Sequence, residues 1–243
     1  MQTKSFRIDR YISKKLGINR RDTKLMLAQG RVVINDTVIR EITTIVEEFD
    51  HVVLDGEVLQ NKQAVYIMLN KPIGVVSATK DDLHKTVMEL LPKELTQKEG
   101  ITLDLHIVGR LDLNTSGLLL LTNDSRWSKS LMAPEAKVSK VYQVTLENDL
   151  TEDYVSAFAE GMYFSFEDIT TQPAQLTIVS NKVAEVVLKE GKYHQIKRMF
   201  GRFRNPVLAL HRSSVGGLSL DKELLPGQSR LLTEAEVVSI FNT

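Results

Sequence analysis

Near the start of the chain the apolar positions Ile8, Tyr11 and Ile12 recur at i, i+3 and i+4, which predicts a helix over 6–16. Gly17 ends it. Asn19 is placed to cap a second helix, with Asp22 at its third position. That helix carries Leu25, Met26 and Leu27 and stops at Gly30. The period then falls to two. "RVVINDTVI" reads as two short strands about an Asn35-Asp36 turn, and "HVVLDGEVL" as a strand that turns at Asp55-Gly56. The first 60 residues therefore form a small helix-helix-β module. The polar stretch "QNKQA", residues 60–64, has no period and reads as a linker. Two segments result, 1–60 and 64–243.

The second segment mixes strands with fewer helices. "VYIMLNKPIGVVSAT" holds two β-rich runs split by Lys71-Pro72 and Gly74, and "KTVMELLP" is a short helix ended near Pro92. "KVYQVTL" alternates as a strand, "EDYVSAFAEGM" is an amphipathic helix, and "VAEVVLKEG" is a strand. "YHQIKRMFGRF" places Ile196, Met199, Phe200 and Phe203 on one helical face, and "EAEVVSIF" is a closing helix. Strands outnumber helices without steady βαβ alternation. The expected class is α+β, with a mainly antiparallel mixed sheet flanked by helices. There is no internal repeat and no low-complexity tract.

Composition narrows the chemistry. The absence of cysteine excludes disulfides, thiolate zinc sites and a cysteine nucleophile. The five histidines lack paired-ligand spacing, so no metal is expected. "MQTKSFRIDRY" lacks the apolar core of a signal peptide, and no apolar run approaches the ~18 residues that span a bilayer. The expectation is a cytoplasmic protein with no membrane contact, and nothing demands more than a monomer. A formal net charge of zero hides an asymmetry. Residues 1–40 hold ten basic residues against three acids, 41–60 hold six acids and no Lys or Arg, and 189–212 hold seven basic residues against Glu190 alone. Two separated basic regions fit local recognition of a polyanion, and equally fit solvated faces balanced by acids elsewhere. Lys14, Lys15, Arg20, Arg21 and Lys24 fall near the junction of the first two helices, where cations contact phosphates in a sequence-tolerant way.

One acid is oddly placed. In "HIVGRLDLNTSGLLLLTND", residues 106–124, Asp112 sits in a polar turn between two apolar runs, two residues after Arg110. Such an aspartate can cap backbone N–H groups in the turn. It can also be a reactive carboxylate. The helix of "YHQIKRMF" carries Lys197 and Arg198 on a packed element, and a cation aimed at a carboxylate keeps it ionised. An ionised, partly desolvated carboxylate can serve as base or nucleophile. Tyr142 in "KVYQV" can stack on a ring or pack in the sheet.

These segments carry a resemblance. The first 60 residues resemble an S4-type RNA-binding module, with Asn35-Asp36 where Asn-Gly is usual. "GRLDLNTSGLLLLTND", "LNKPIGVVSAT", "KVYQVTL" and "EGKYHQIKRMF" together are similar to bacterial pseudouridine synthases of the RsuA family. The four occur in the family's order behind the S4-type module and span nearly the whole chain. "YHQIKRMF" is closer to the branch that acts on small-subunit (16S) ribosomal RNA, typified by modification of uridine 516. The resemblance implies isomerisation of uridine to pseudouridine without cofactor. It implies Asp112 as the catalytic aspartate, Tyr142 stacked on the extruded base, and a basic group at Lys197, with Arg198 as the alternative holder. Many related synthases have arginine at that position, and lysine is a point charge rather than a planar fork. Arg110, His194, Arg198, Lys71, Arg31 and the cations of the first two helices are then expected RNA contacts. The implied partner is 16S ribosomal RNA, free or in an assembling small-subunit particle. A synthase for 23S ribosomal RNA or tRNA, and a non-catalytic assembly factor, are the alternatives.

Overall fold

The computed structural model describes residues 5–98 and 100–242; Lys4 and the outer limits of the two expected segments lie outside them. The chain divides into two compact units that meet at Ala64/Val65.

In the first unit Phe6–Arg7 pair with Ile45–Val46 as a short strand, so the helix expected over 6–16 starts only at Ile8; helices α1 (Ile8–Leu16) and α2 (Arg20–Ala28) follow. Gly17 closes α1 in the left-handed conformation, and its N–H donates to the Ser13 carbonyl. The Asn19 side chain accepts from the Asp22 N–H at 2.9 Å, which opens α2. Four antiparallel strands follow: β1 (Val32–Ile34), β2 (Thr37–Ile39), β3 (His51–Leu54) and β4 (Glu57–Asn61), in the order β2-β1-β3-β4. Both hairpin turns place two central residues at positive φ, Asn35 and Asp36 in one, Asp55 and Gly56 in the other. That geometry matches the right-handed twist of the strands, and Asp36 adopts it without glycine because a short polar side chain tolerates this region. Ile8, Ile12, Leu27, Val32, Val52 and Leu59 form the core.

The second unit is built on a nine-stranded sheet. Its main strands are β5 (Tyr66–Lys71), β6 (His106–Val108), β7 (Ser116–Thr122), β8 (Lys140–Leu146), β9 (Gln175–Ser180), β10 (Val183–Leu188), β11 (Val207–Val215) and β12 (Ser229–Leu231). The order is β9-β10-β8-β11-β7-β5-β12, with β6 on β7. All pairings are antiparallel except β7 with β11. The fold is thus mixed α and β with a mainly antiparallel sheet, as expected. Among the described residues no helix is long and apolar enough to cross a membrane.

The run Leu118–Leu121 is apolar at every position because β7 is covered on both faces. Leu119 and Leu121 join one core with Ile67, Leu69, Val144, Phe158 and Phe200. Leu118 and Leu120 join the other with Met68, Trp127, Leu131 and Ile240. Gly117 precedes the run at φ +107°, and a Cβ there would meet the Arg212 carbonyl oxygen at 2.2 Å. Only glycine lets β7 and β11 approach so closely at this point.

Two further expectations need correction, and other elements were not foreseen. The run after Gly74 is not a strand; it makes a single bridge between Val76 and Thr86, and its polar groups are used elsewhere. "KTVMELLP" gives one 3-10 turn, Met88–Leu90, rather than an α-helix. The strands β9 and β11 and the helix α3 (Ser125–Met132) were not expected. The Asp124 side chain opens α3 by accepting from the Arg126 and Trp127 N–H groups. Helices α4 (Glu152–Glu160), α5 (Gln195–Gly201) and α6 (Glu234–Ser239) fall where the periodicity places them.

Candidate active site

Strand β7 divides one of its edges between two neighbours. Ser116 and Gly117 pair with β11, while Leu120 to Thr122 pair with β6. In the gap the Leu118 carbonyl would lack a strand partner, and the buried Arg212 side chain supplies one, Nε donating at 2.8 Å. A cleft of about 620 Å³ opens beside this split, lined by Asp112, Thr115, Tyr142, Lys140, Arg212 and the loop 191–194 among others.

Asp112 lies in the loop between β6 and β7, and the loop is held from beneath. Lys71, at the end of β5, has no solvent exposure. Its Nζ donates to the carbonyls of Pro72 at 2.9 Å, Asp112 at 3.1 Å and Thr115 at 2.8 Å. Burial pulls the Lys71 amine down to about 8, and the nearby Asp112 carboxylate opposes that shift. Ser77 adds a reciprocal pair, Oγ donating to the Leu111 carbonyl at 2.7 Å and accepting from the Leu111 N–H at 3.1 Å. The Gly74 N–H donates to the Leu113 carbonyl. The stretch 71–77 therefore fails as a strand because it spends its hydrogen bonds on the Asp112 loop. Lys71 was expected to contact RNA; a fully buried amine saturated by carbonyls cannot, and its position is structural.

Above the loop stand two basic groups from the start of α5. His194 Nε2 lies 3.4 Å from Asp112 Oδ2, and Lys197 Nζ lies 3.9 Å from the same oxygen. Arg198, the alternative cation, turns away: it pairs with Glu167 and lies over the Phe164 ring, 4.0 Å from its centroid. Adjacent positions on a helix point about 100° apart, so only one of the two can face the acid. Arg110 is exposed at the cleft and is not Asp112's ion partner. Tyr142, on β8, is 9% exposed, packs in the core and also lines the cleft.

Sequence reasoning missed several members of the lining. Lys140 and Arg212 approach from β8 and β11, and burial followed by Arg212's charge depresses the Lys140 amine. Thr115 Oγ1 is buried without a hydrogen-bond partner in the structure. Arg212 had a signal, an arginine within the β-rich "LALHRSSV", but that strand was not recognised.

Comparison with known proteins gives the family. The family model described as RNA pseudouridylate synthase matches residues 65–201. The chain belongs to the RNA pseudouridylate synthase family. A "Ribosomal small subunit pseudouridine synthase A" of Pseudomonas aeruginosa is 46% identical to this synthase over 96% of the chain and 100% of the relative. The protein of the same name from Escherichia coli K12 is 37% identical over 96% of the chain and 99% of its own length. A solved structure titled "Crystal structure of pseudouridylate synthase" superposes with a TM-score of 0.68 at 34% identity, covering 97% of this synthase and 99% of that chain. The family match begins at the residue where the second unit begins.

The expected RNA contacts of the first unit differ in their freedom. Arg20 is drawn onto buried Asp9, whose carboxyl burial alone would raise but which the Arg20 hydrogen bond and charge hold below its usual range. Arg31 is paired with Asp55 at the second hairpin turn. Lys14 lies 5.8 Å from the Phe6 ring centroid. Lys14, Lys15, Arg21 and Lys24 are exposed.

Proposed function

We propose that this enzyme converts one uridine of 16S ribosomal RNA to pseudouridine, at uridine 516, with Asp112 as its catalytic carboxylate. The observation that carries the reading is the Asp112 carboxylate at the cleft, braced below by Lys71 and faced by His194 and Lys197. The small-subunit target is supported by the names of the curated relatives. Residues 1–60 serve as the S4-like RNA-binding part and 64–243 as the catalytic part.

The reaction breaks the bond between the ribose anomeric carbon and N1 of uracil. The base turns and reattaches through C5; the C5 proton leaves and N1 gains one, so the product is an isomer. Asp112 acts either by attack on the anomeric carbon or by removal of a ribose proton. Lys197 and His194 hold it ready in a partly desolvated site. The uridine must leave its stack, at a cost of a few kcal/mol, and the Tyr142 ring returns part of that, about 1–3 kcal/mol. Thr115 Oγ1, Lys140 and Arg212 offer polar groups to a base or ribose within the cleft.

The test is pseudouridine mapping on 16S transcript and on partly assembled small-subunit particles. Wild-type protein should deposit one pseudouridine at position 516, and Asp112→Asn none. Product in 23S ribosomal RNA or tRNA instead would refute the 16S assignment. Turnover by Asp112→Asn would refute the role of the acid.

A further inference from the structure

Tyr193 is 75% exposed at the lip of the cleft. Its ring stacks on the His194 imidazole, with centroids 3.9 Å apart and planes 19° from parallel. His194 in turn lies 3.4 Å from the Asp112 carboxylate. The two rings thus form a short column that runs outward from the reactive acid, and exposure leaves much of the tyrosine to solvent.

The column is held in place. His194 occupies the left-handed region at φ 47°, an uncommon conformation for a residue with a Cβ, kept here by its surroundings. Gln195 fixes the loop by accepting from the Lys192 N–H at 3.0 Å and donating to Glu190 at 2.7 Å. The Tyr193 carbonyl accepts from Arg198, which Glu167 and the Phe164 ring immobilise. Beyond its stack on His194 the ring is left to solvent, an apolar face available to another ring. Stiffness also means that little freedom is lost when something stacks on it.

We infer that Tyr193 is a positioning residue whose ring takes the nucleobase beside the target uridine. A nucleotide that leaves the helix deprives its neighbours of a stacking partner. An aromatic face just outside the cleft fills that vacancy without reading base identity, because every base has a π-face. Tyr142 would hold the target base and Tyr193 its neighbour, with Asp112 between. The inference rests on the proposed RNA-modifying reaction.

The experiment uses the RNA in which wild-type protein is found to deposit pseudouridine, so that an error about the target RNA shows in that mapping and not here. The fluorescent base 2-aminopurine replaces the nucleotide on either side of the target in turn. Complexes are formed with Asp112→Asn protein, alone or combined with Tyr193→Ala or Tyr193→Phe. One labelled RNA should be dimmer in the complex that retains Tyr193 than in the alanine complex, and phenylalanine should restore the dimming. Affinity should fall roughly 5- to 150-fold with alanine and recover with phenylalanine. In the otherwise wild-type enzyme, Tyr193→Ala should raise KM by a similar factor. Equal brightness and equal affinity for the alanine and tyrosine proteins would overturn the inference. So would a loss confined to kcat, the mark of a ring that merely props His194 against Asp112.

Discussion

Four cations of the first unit and two of the second live in opposite environments. In the first unit Lys14, Lys15, Arg21 and Lys24 stand in water on two helices. In the second, Lys71 and Arg212 are buried, and their donors close on backbone carbonyls. A solvated cation contributes affinity that salt erodes and that tolerates displacement. A buried one costs desolvation and is justified by the geometry it fixes. Here it fixes the loop that presents Asp112. The same residue types thus stand in water in one unit and shape the backbone in the other.

The sharpest way to break this contrast is to remove a buried cation. Lys71→Met should strip the donor from three well-bonded carbonyls and destabilise the protein by about 2–5 kcal/mol, read by denaturant unfolding, with activity lost alongside. A wild-type stability in that variant would show that Lys71 is a bystander. Gly117→Ala should cost about 2 kcal/mol or more, because its Cβ meets the Arg212 carbonyl and its φ is positive. Thermal unfolding checks it.

Titration sharpens the contrast further. The folded-state amine of Lys71 sits near 8, below the 10.5 of an exposed lysine, so between those values the unfolded chain binds the extra proton. Stability should therefore rise with pH across that window relative to a Lys71→Met control, whereas exposed lysines contribute no such slope. Unfolding curves for both proteins at pH 7.5, 9 and 10.5 would decide; parallel curves would contradict the buried-amine account. The smallest effect per residue belongs to the exposed set. Replacing Lys14, Lys15, Arg21 and Lys24 with Gln should leave folding intact and weaken RNA binding. The slope of log affinity against log salt should fall by about 3, at roughly 0.7 to 0.9 per lost phosphate contact. An unchanged slope would remove these helices from the RNA interface.

The elements legible in the sequence were those whose local signals agreed. Gly17, Asn19 and the two turns marked the first unit because caps and turns act over a few residues. The helix of "QIKRMFG" was legible from its apolar face. The stretch after Gly74 misled because its Val75-Val76 pair has strand character, while Ser77 and the Gly74 N–H serve a loop over thirty residues away. Strand β11 was lost because its middle, "HRSS", is polar, with Arg212 reaching the cleft and Leu118 while His211 and Ser213 bond neighbouring strands, so its composition argues against burial. Asp112 was found by motif. Lys140 and Arg212 were not, since strand pairing brings them to the cleft, and Thr115 was passed over because its place in the turn already accounts for it, its N–H donating to the Asp112 carbonyl. Lys71 was found and given the wrong task, because sequence reveals a charge and not the carbonyls around it.

The pairing of β5 with β12 joins residues near 67–69 to residues near 229–231. Such a pairing cannot form until nearly all of the second unit has been synthesised. At 5–20 residues per second, β5 waits on the order of 10 to 30 seconds for its edge partner. The first unit, whose contacts are local, can complete its core early in that interval. A nascent chain would then present a finished first unit, with its exposed helical cations, while the sheet of the second still lacks an edge strand.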